Sequence, residues 1–381
     1  MNLFLIYLTG FLIHLIVSME LNTVSPITPY LATYFNIADS SVIRLSLGFS
    51  LIGFFVPFFG LWADKHGKKK YISLSLVSFI IGALISGFSS TPLIFALGRT
   101  FLGFGYFSLN ASVISYISDF VPYNKRGRAS GILRIAFGIA ILISPLYGTF
   151  IVNTFDNIKG IYMPFAIIAF ICLILLNKLP ESKQTNNKSI NTKDVLDIIK
   201  DPMGLKLLII QFLSITSPYI FFSYLGVYIS NDFNLSQLNI GITYTVLGCG
   251  TVIGVTLSTF ISDKIGKEKF TKIFYTLMVI AIIPIAYVKS IPAFIILATL
   301  YAIGIDGGWS AYQAICTEAF PEKRTTFMTL LSFTNALMIS LFSIIGPYLY
   351  ALNGYKLILT ISSISSALAL LIFLNVTKKD I

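Results

Sequence analysis

The sequence predicts an all-α integral membrane protein of twelve transmembrane helices in two pseudo-symmetric six-helix bundles, and three observations carry that prediction. The chain of 381 residues is 56% hydrophobic and 11% charged, whereas a soluble domain carries roughly a quarter charged residues. Charge-free runs such as 72–88 and 161–176 recur along its whole length, each close to the ~20 apolar residues that cross ~30 Å of hydrocarbon as a helix. The third observation is a repeat. GLWADKHGKKK at 60–70 returns as STFISDKIGKEK at 258–269, so that Asp64, Lys65, Gly67 and Lys68 match Asp263, Lys264, Gly266 and Lys267, each 199 positions later.

Taken in order, the apolar segments fall at 4–33, 41–62, 71–89, 92–117, 128–153, 161–179, 203–230, 238–262, 270–289, 292–316, 325–350 and 355–376. Short links join nearly all of them. The exception, PESKQTNNKSINTKDVLDIIKDP at 180–202, is polar and rich in Asn and Lys. It predicts bundles at 1–179 and 203–381 joined by a linker, with a short amphipathic helix in VLDIIK. Two further anchors support the register: Pro122 of SDFVPYNKRGR matches Pro321 of TEAFPEKR, again 199 apart, and Pro145 of ISPLYG matches Pro347 of IGPYLY, 202 apart. A repeat after six helices keeps the same orientation, which relates the halves by an axis along the membrane normal.

The net charge of +11 invites a nucleic-acid reading until the 27 cations are placed on the expected links. The links on the side of 60–70, with the C-terminus, hold 21 of them; the opposite side holds Arg44, Lys159, Lys289 and Lys356, and Arg99 and Arg134 lie inside segments. By the positive-inside rule both termini and the linker are cytoplasmic, in a multi-pass protein of the cell membrane. Basicity is then topology, and nucleic acid is not an expected partner. The N-terminus lacks a basic leader and a small-residue cleavage site, so it reads as an uncleaved first span. Cys172, Cys249 and Cys316 lie in different segments at unrelated spacings, which suggests neither a disulfide framework nor a metal site.

Several stretches together resemble the major facilitator superfamily, and within it the twelve-helix drug:proton antiporters. GLWADKHGKK is similar to the superfamily's link between helices 2 and 3, with Trp62 for an aliphatic residue and lysines at 65, 68 and 69 for arginines. LGRTFLGFG at 97–105 resembles the Arg-x-x-x-Gly-x-Gly pattern of helix 4, and SPITP at 25–29 the Pro-x-x-Pro pattern near the outer end of helix 1. The helix 5 antiporter pattern is met in part: Gly138, Pro145 and Gly148 are present, but Ser144 and Thr149 stand where glycines are usual. The resemblance implies the major facilitator fold, alternating access, protons as the coupling ion, efflux of small molecules as in multidrug resistance, and a monomer.

Of sixteen acids only Glu20 and Asp306 fall deep inside segments, accompanied there by Arg99 and Arg134. Each ionised group costs at least ~2.5–3.5 kcal/mol at a lipid-facing helix centre, so each is expected to face a polar cavity or a partner. A rise of ~1.5 Å per residue puts Glu20 and Arg99 at one level and Asp306 and Arg134 at a second, inner one. Glu20 and Asp306 are the candidates for binding and releasing a proton; the alternative is a structural ion pair or hydrogen bond between helices. The resemblance adds Arg99 to the proton path, with capping of helix 1 carbonyls as the alternative. Arg134 would bind an anionic substrate group or neutralise Asp306. Polar and aromatic residues on helices 1, 4, 7 and 10 are the cavity candidates: Asn22, Thr23, Asn110, Tyr219, Tyr224, Trp309 and Tyr312, the last two three and six positions after Asp306.

Gly138, Pro145 and Gly148, and Gly346 and Pro347 in the second half, read as packing and hinge positions. The resemblance also makes 60–70 a conformational latch: Gly60 for close approach, Asp64 at the end of helix 2, Gly67 for the turn, and Lys68 reaching Asp119 at the end of helix 4. No phosphate-binding Gly-x-x-x-x-Gly-Lys-Ser/Thr is present, GFGYF follows no strand, His14 and His66 are far apart, and no nucleophile stands with a base. A cofactor, a metal and an enzyme are therefore not expected. The sequence favours a proton-coupled exporter of small organic compounds, with an importer or amphiphile translocator as the main rival and a membrane enzyme or sensor as a remote one. Richness in Ile, Asn, Lys, Phe and Tyr points to an AT-rich bacterial genome.

Overall fold

A computed structural model describes residues 3–55, 67–121, 126–181 and 192–376. Among these residues the secondary structure is helical throughout, and nine helices are long and apolar enough to cross a membrane. The first expected span is broken: Leu3–Thr23 is followed by a 3-10 turn at Ser25–Ile27 and a short helix Thr28–Phe35. The cause is SPITP, where Pro26 and Pro29 supply no N–H and start new helical turns. The second span begins as the 3-10 stretch Asp39–Ser46 and continues through Leu47–Ile52. The last two expected spans merge into Arg324–Leu374, but Asn353 (φ −151°) and Gly354 (φ +54°) break the helix inside the expected link at 351–354.

The chain divides into two compact units, residues 1–189 with 235–242, and 190–234 with 243–381. In the first, Lys68–Gly87 packs along Pro92–Phe120 and against Lys159–Asn177, while Leu3–Thr23 packs along Arg126–Phe155. The second repeats the same pairings with Lys267–Ile285 against Ile291–Ala319 and Arg324–Leu374, and Pro202–Asn231 against Arg324–Leu374. The repeat read from motifs is thus a repeat of helix contacts.

It reaches individual atoms. Gly67 (φ +100°) and Gly266 (φ +92°) hold the same left-handed turn before Lys68–Gly87 and Lys267–Ile285, a conformation that costs glycine little and other residues much. Lys68 Nζ lies 2.8 Å from both carboxylate oxygens of Asp119, and Lys267 Nζ lies 2.5 Å from Glu318 Oε1, both partners being 199 positions on. A Cβ on Gly105 would lie 2.8 Å from Phe79 Cβ, and one on Gly304 would lie 2.6 Å from the Met278 backbone nitrogen. Small residues therefore let the same two helices touch in each unit.

Large apolar side chains form exposed stripes at helical spacing, such as Leu93, Leu97 and Phe101. Lipid is the solvent such stripes require. The amphipathic linker helix is present at Thr192–Lys200 and belongs to the second unit.

Candidate functional site

In the first unit the site grows from Pro92–Phe120, whose N-terminus is capped by Thr91 accepting from the Ile94 amide at 3.3 Å. Arg99, two turns in, is buried, and Glu20 on Leu3–Thr23 has no exposed surface. The structure brings them together: Arg99 Nη1 donates to Glu20 Oε1 in a buried ion pair. Nη2 donates to Ser46 Oγ at 3.2 Å, and the guanidinium lies 4.5 Å from the centroid of the Phe49 ring. This geometry favours the ion-pair reading of Arg99 over capping of helix carbonyls. Phe49 packs in turn on Tyr106 and Phe107.

The pair is incompletely satisfied. Among the described residues, Glu20 Oε2 and Arg99 Nε are both buried without a hydrogen-bond partner. Desolvating two charges costs several kcal/mol each, which only good geometry and further hydrogen bonds repay.

Asn22 lies two positions from Glu20, on the opposite side of the helix, and donates back to the Ser18 carbonyl at 2.8 Å. Thr23 bonds the Met19 carbonyl, and its Cγ2 would lie 2.5 Å from a Cβ on Gly148. Asn110 is half-buried, one turn beyond Tyr106. Arg134 is exposed and has no ion-pair partner among the described residues. An added Cβ on Gly148 would therefore collide with Leu3–Thr23, whereas one on Gly138 would meet nothing within 4 Å. Gly60 and Asp64 lie outside the described residues.

In the second unit the GIDGGW turn packs Gly304, Gly307 and Gly308 against Phe274, Tyr275 and Met278. Asp306 is half-buried and accepts a hydrogen bond from Thr251 Oγ1 at 2.7 Å. Trp309 shares its helix face, and its indole Nε1 is buried with no hydrogen-bond partner among the described residues. Tyr312 differs from expectation. It has no exposed surface, and its hydroxyl donates to the Leu207 carbonyl at 2.5 Å, so in this conformation it is a packing residue. Tyr219 bonds Ser343 at 2.8 Å, and Tyr224 stacks on Tyr350 with its hydroxyl 2.9 Å from where a Cβ on Gly346 would stand.

Sequence reasoning missed an amide chain: Gln313 Nε2 donates to Gln211 Oε1 at 3.0 Å, and Gln211 Nε2 donates to Asn335 Oδ1 at 2.7 Å. Gln211 is fully buried on Pro202–Asn231, the one amide among that helix's buried hydroxyl and apolar side chains. An amide midway along a spanning segment was a legible signal, because a buried amide needs partners. Ser46, Phe49 and Thr251 had no comparable signal. Among the described residues no group of three His, Cys, Asp or Glu side chains is placed to hold a metal ion.

The Major Facilitator Superfamily profile matches residues 10–291 and 207–380. An uncharacterised transporter of this type, YwfA of Bacillus subtilis (strain 168), is 24% identical over 93% of this chain and 88% of its own length. Multidrug resistance protein MdtG of Salmonella choleraesuis (strain SC-B67) is 26% identical over 67% of this chain and 64% of its own. Multidrug resistance protein 1 of Bacillus subtilis (strain 168) is 22% identical over 65% and 63%. Among solved structures, a D-xylose–proton symporter superposes with a TM-score of 0.79 at 19% identity, covering 98% of both chains. The human organic anion transporter MFSD10 gives 0.72 at 16%, over 97% of this chain and 98% of that one. With its duplicated helix pairings and its buried charges inside apolar spans, the chain belongs to the Major Facilitator Superfamily of membrane transporters and is not an enzyme.

Proposed function

We propose that this chain is a proton-coupled exporter that exchanges protons for small organic compounds across a bacterial cytoplasmic membrane, with both termini and the linker in the cytoplasm. The observation that carries the reading is the buried Glu20–Arg99 pair with its spare carboxylate oxygen. A carboxylate in hydrocarbon needs a positive partner or a proton. Arg99 supplies the first, and rearrangement of the bundles at 1–179 and 203–381 exposes Glu20 to the second. Asp306, held by a neutral hydroxyl rather than a cation, is the second proton-binding candidate.

Substrate would be met by Asn22, Asn110, Arg134, Trp309 and the two acids, with Tyr312 joining only in another conformation. The Lys68–Asp119 pair of the first unit, together with Gly60, Asp64 and Gly67 of the same link, would act as a latch while the cavity opens outward. The names of the multidrug relatives support a broad organic cargo. Everted vesicles with an imposed inside-acid pH gradient test the reading against a panel of cationic, neutral and anionic compounds. Accumulation that collapses with the gradient is expected; no proton movement with any compound contradicts it.

A second reading, an importer or amphiphile translocator, is favoured by helix 126–155. Ser144 and Thr149 stand there in place of glycines, both fully buried with their hydroxyls on the Ala140 and Pro145 carbonyls, so side chains fill space that the antiporter pattern leaves open. Uptake in right-side-out cells without efflux in everted vesicles would select it.

A further inference from the structure

Between Tyr301 and Thr317 no residue of the helix Ile291–Ala319 is exposed. The polar side chains that are half-buried there, Asp306, Trp309, Ser310, Gln313 and Thr317, fall on one face, within an arc of about 100°. A half-buried polar face with an acid on it, inside a spanning helix, marks a polar path rather than a lipid contact. The amide chain starts on this face. Gln313, seven positions and ~10 Å along the axis from Asp306, donates to Gln211 Oε1 at 3.0 Å, and Gln211 donates to Asn335 Oδ1 at 2.7 Å. The middle member is fully buried and both ends are half-buried.

We propose that the ends of this chain, at Gln313 and Asn335, bind a neutral cargo group that both donates and accepts hydrogen bonds, of which a primary carboxamide is the simplest, on an organic cation whose charge lies toward Asp306. The proposal rests on the exporter reading, in which Asp306 meets cargo, and names the class of compound. Amide oxygen and nitrogen can exchange places by a half-turn. Turning all three amides together preserves both internal bonds, and either arrangement leaves one acceptor and one donor at the outer ends. A group that carries both matches the chain in either arrangement. Among the described residues neither Gln313 Oε1 nor Asn335 Nδ2 has a hydrogen bond of its own, so the chain ends without protein partners. Trp309, one turn before Gln313, adds an unbonded indole N–H on the same face. An ion at these neutral groups would lack a countercharge, because the acid of this face stands two turns away. Asp306 itself bonds the Thr251 hydroxyl and pairs with no cation among the described residues.

The probes are ω-(trimethylammonio)octanamide and octyltrimethylammonium, which share the cation and differ in the amide. Calorimetric titration of the purified full-length protein is expected to give the octanamide at least about fivefold the affinity of the alkyl compound, against the order that apolar burial alone would set. This wild-type comparison needs no variant to fold. Gln313→Leu and Asn335→Leu should reverse the order. Equal affinities in the wild type, or a preference for the alkyl compound, overturn the proposal and leave the exporter reading standing; so does an amide preference that survives both substitutions. Binding of neither compound overturns it together with the cargo role of Asp306. Amide-selective binding without gradient-driven transport in everted vesicles would uphold the amide site and contradict the exporter reading instead.

Discussion

Glu20 and Arg99 neutralise each other with almost no exposed surface, yet one carboxylate oxygen and one guanidinium nitrogen have no hydrogen-bond partner among the described residues. The two ions are not equally able to survive alone. A carboxylate can take up a proton, whereas a guanidinium stays charged at any accessible pH. Arg99→Gln should therefore destabilise the protein less than Glu20→Gln, which leaves an uncompensated buried cation and should cost about 3–5 kcal/mol. Thermal unfolding in detergent checks the order; equal losses would show that the pair contributes mainly packing.

The duplicated ion pairs predict unequal effects. Lys68 and Asp119 are 8% and 23% exposed, Lys267 and Glu318 28% and 55%. Shielded pairs are worth more than exposed ones, for which the usual contribution is ~0–1 kcal/mol. Lys68→Ala should slow transport severalfold and be restored in part by exchanging the charges as Lys68→Asp/Asp119→Lys, while Lys267→Ala should stay within about twofold of wild type. Initial transport rates at saturating substrate decide it, and equal effects would deny the first pair any special part in the cycle.

The glycine contacts test the repeat directly. At Gly304 an added methyl meets backbone, and at Gly105 it meets the Cβ and ring of Phe79. A side chain yields more easily than a helix backbone, so Gly304→Ala should cost more than Gly105→Ala, with about 1–3 kcal/mol for overpacking as the scale. Melting temperatures of the two variants measure the difference.

Linker docking should depend on pH at both extremes. The hydrogen bond from Lys323 lowers the Asp197 carboxyl from its ordinary value, and the same bond raises Lys323. The carboxylate contribution is present above the ordinary Asp range and is lost as pH falls through the lowered value. The lysine contribution is present below the ordinary Lys range and is lost as pH rises through the raised one. Limited proteolysis within 192–200 should be slow and nearly constant through neutral pH, faster at acid pH, and insensitive to acid in Lys323→Gln.

Much of this was legible in the residues. Charge-free runs gave the spans, and the 199-residue offset gave the paired helices, because hydrocarbon length and helix rise leave few alternatives. The broken first span was less legible: SPITP was read for its resemblance rather than for its missing N–H groups. Glu20 and Arg99 were placed at one level by counting residues, but their contact depends on rotation about the helix axes, which apolar composition on all sides does not reveal. Tyr312 illustrates the same limit. It lies one turn from Trp309 but about 240° round the helix from Asp306, and its ring is fully buried with the hydroxyl on the Leu207 carbonyl. Gln211 carried the opposite lesson, since an amide midway along a spanning segment already asked for its partners.

The central claim, that buried acids couple transport to protons, is tested most directly by comparing two modes of movement in one preparation. Glu20→Gln and Asp306→Asn proteins are reconstituted, and substrate exchange at equal pH is measured beside gradient-driven accumulation. At least one variant should retain exchange while losing accumulation, because exchange needs the alternating bundles but not the proton. Wild-type gradient dependence in both variants would contradict the account.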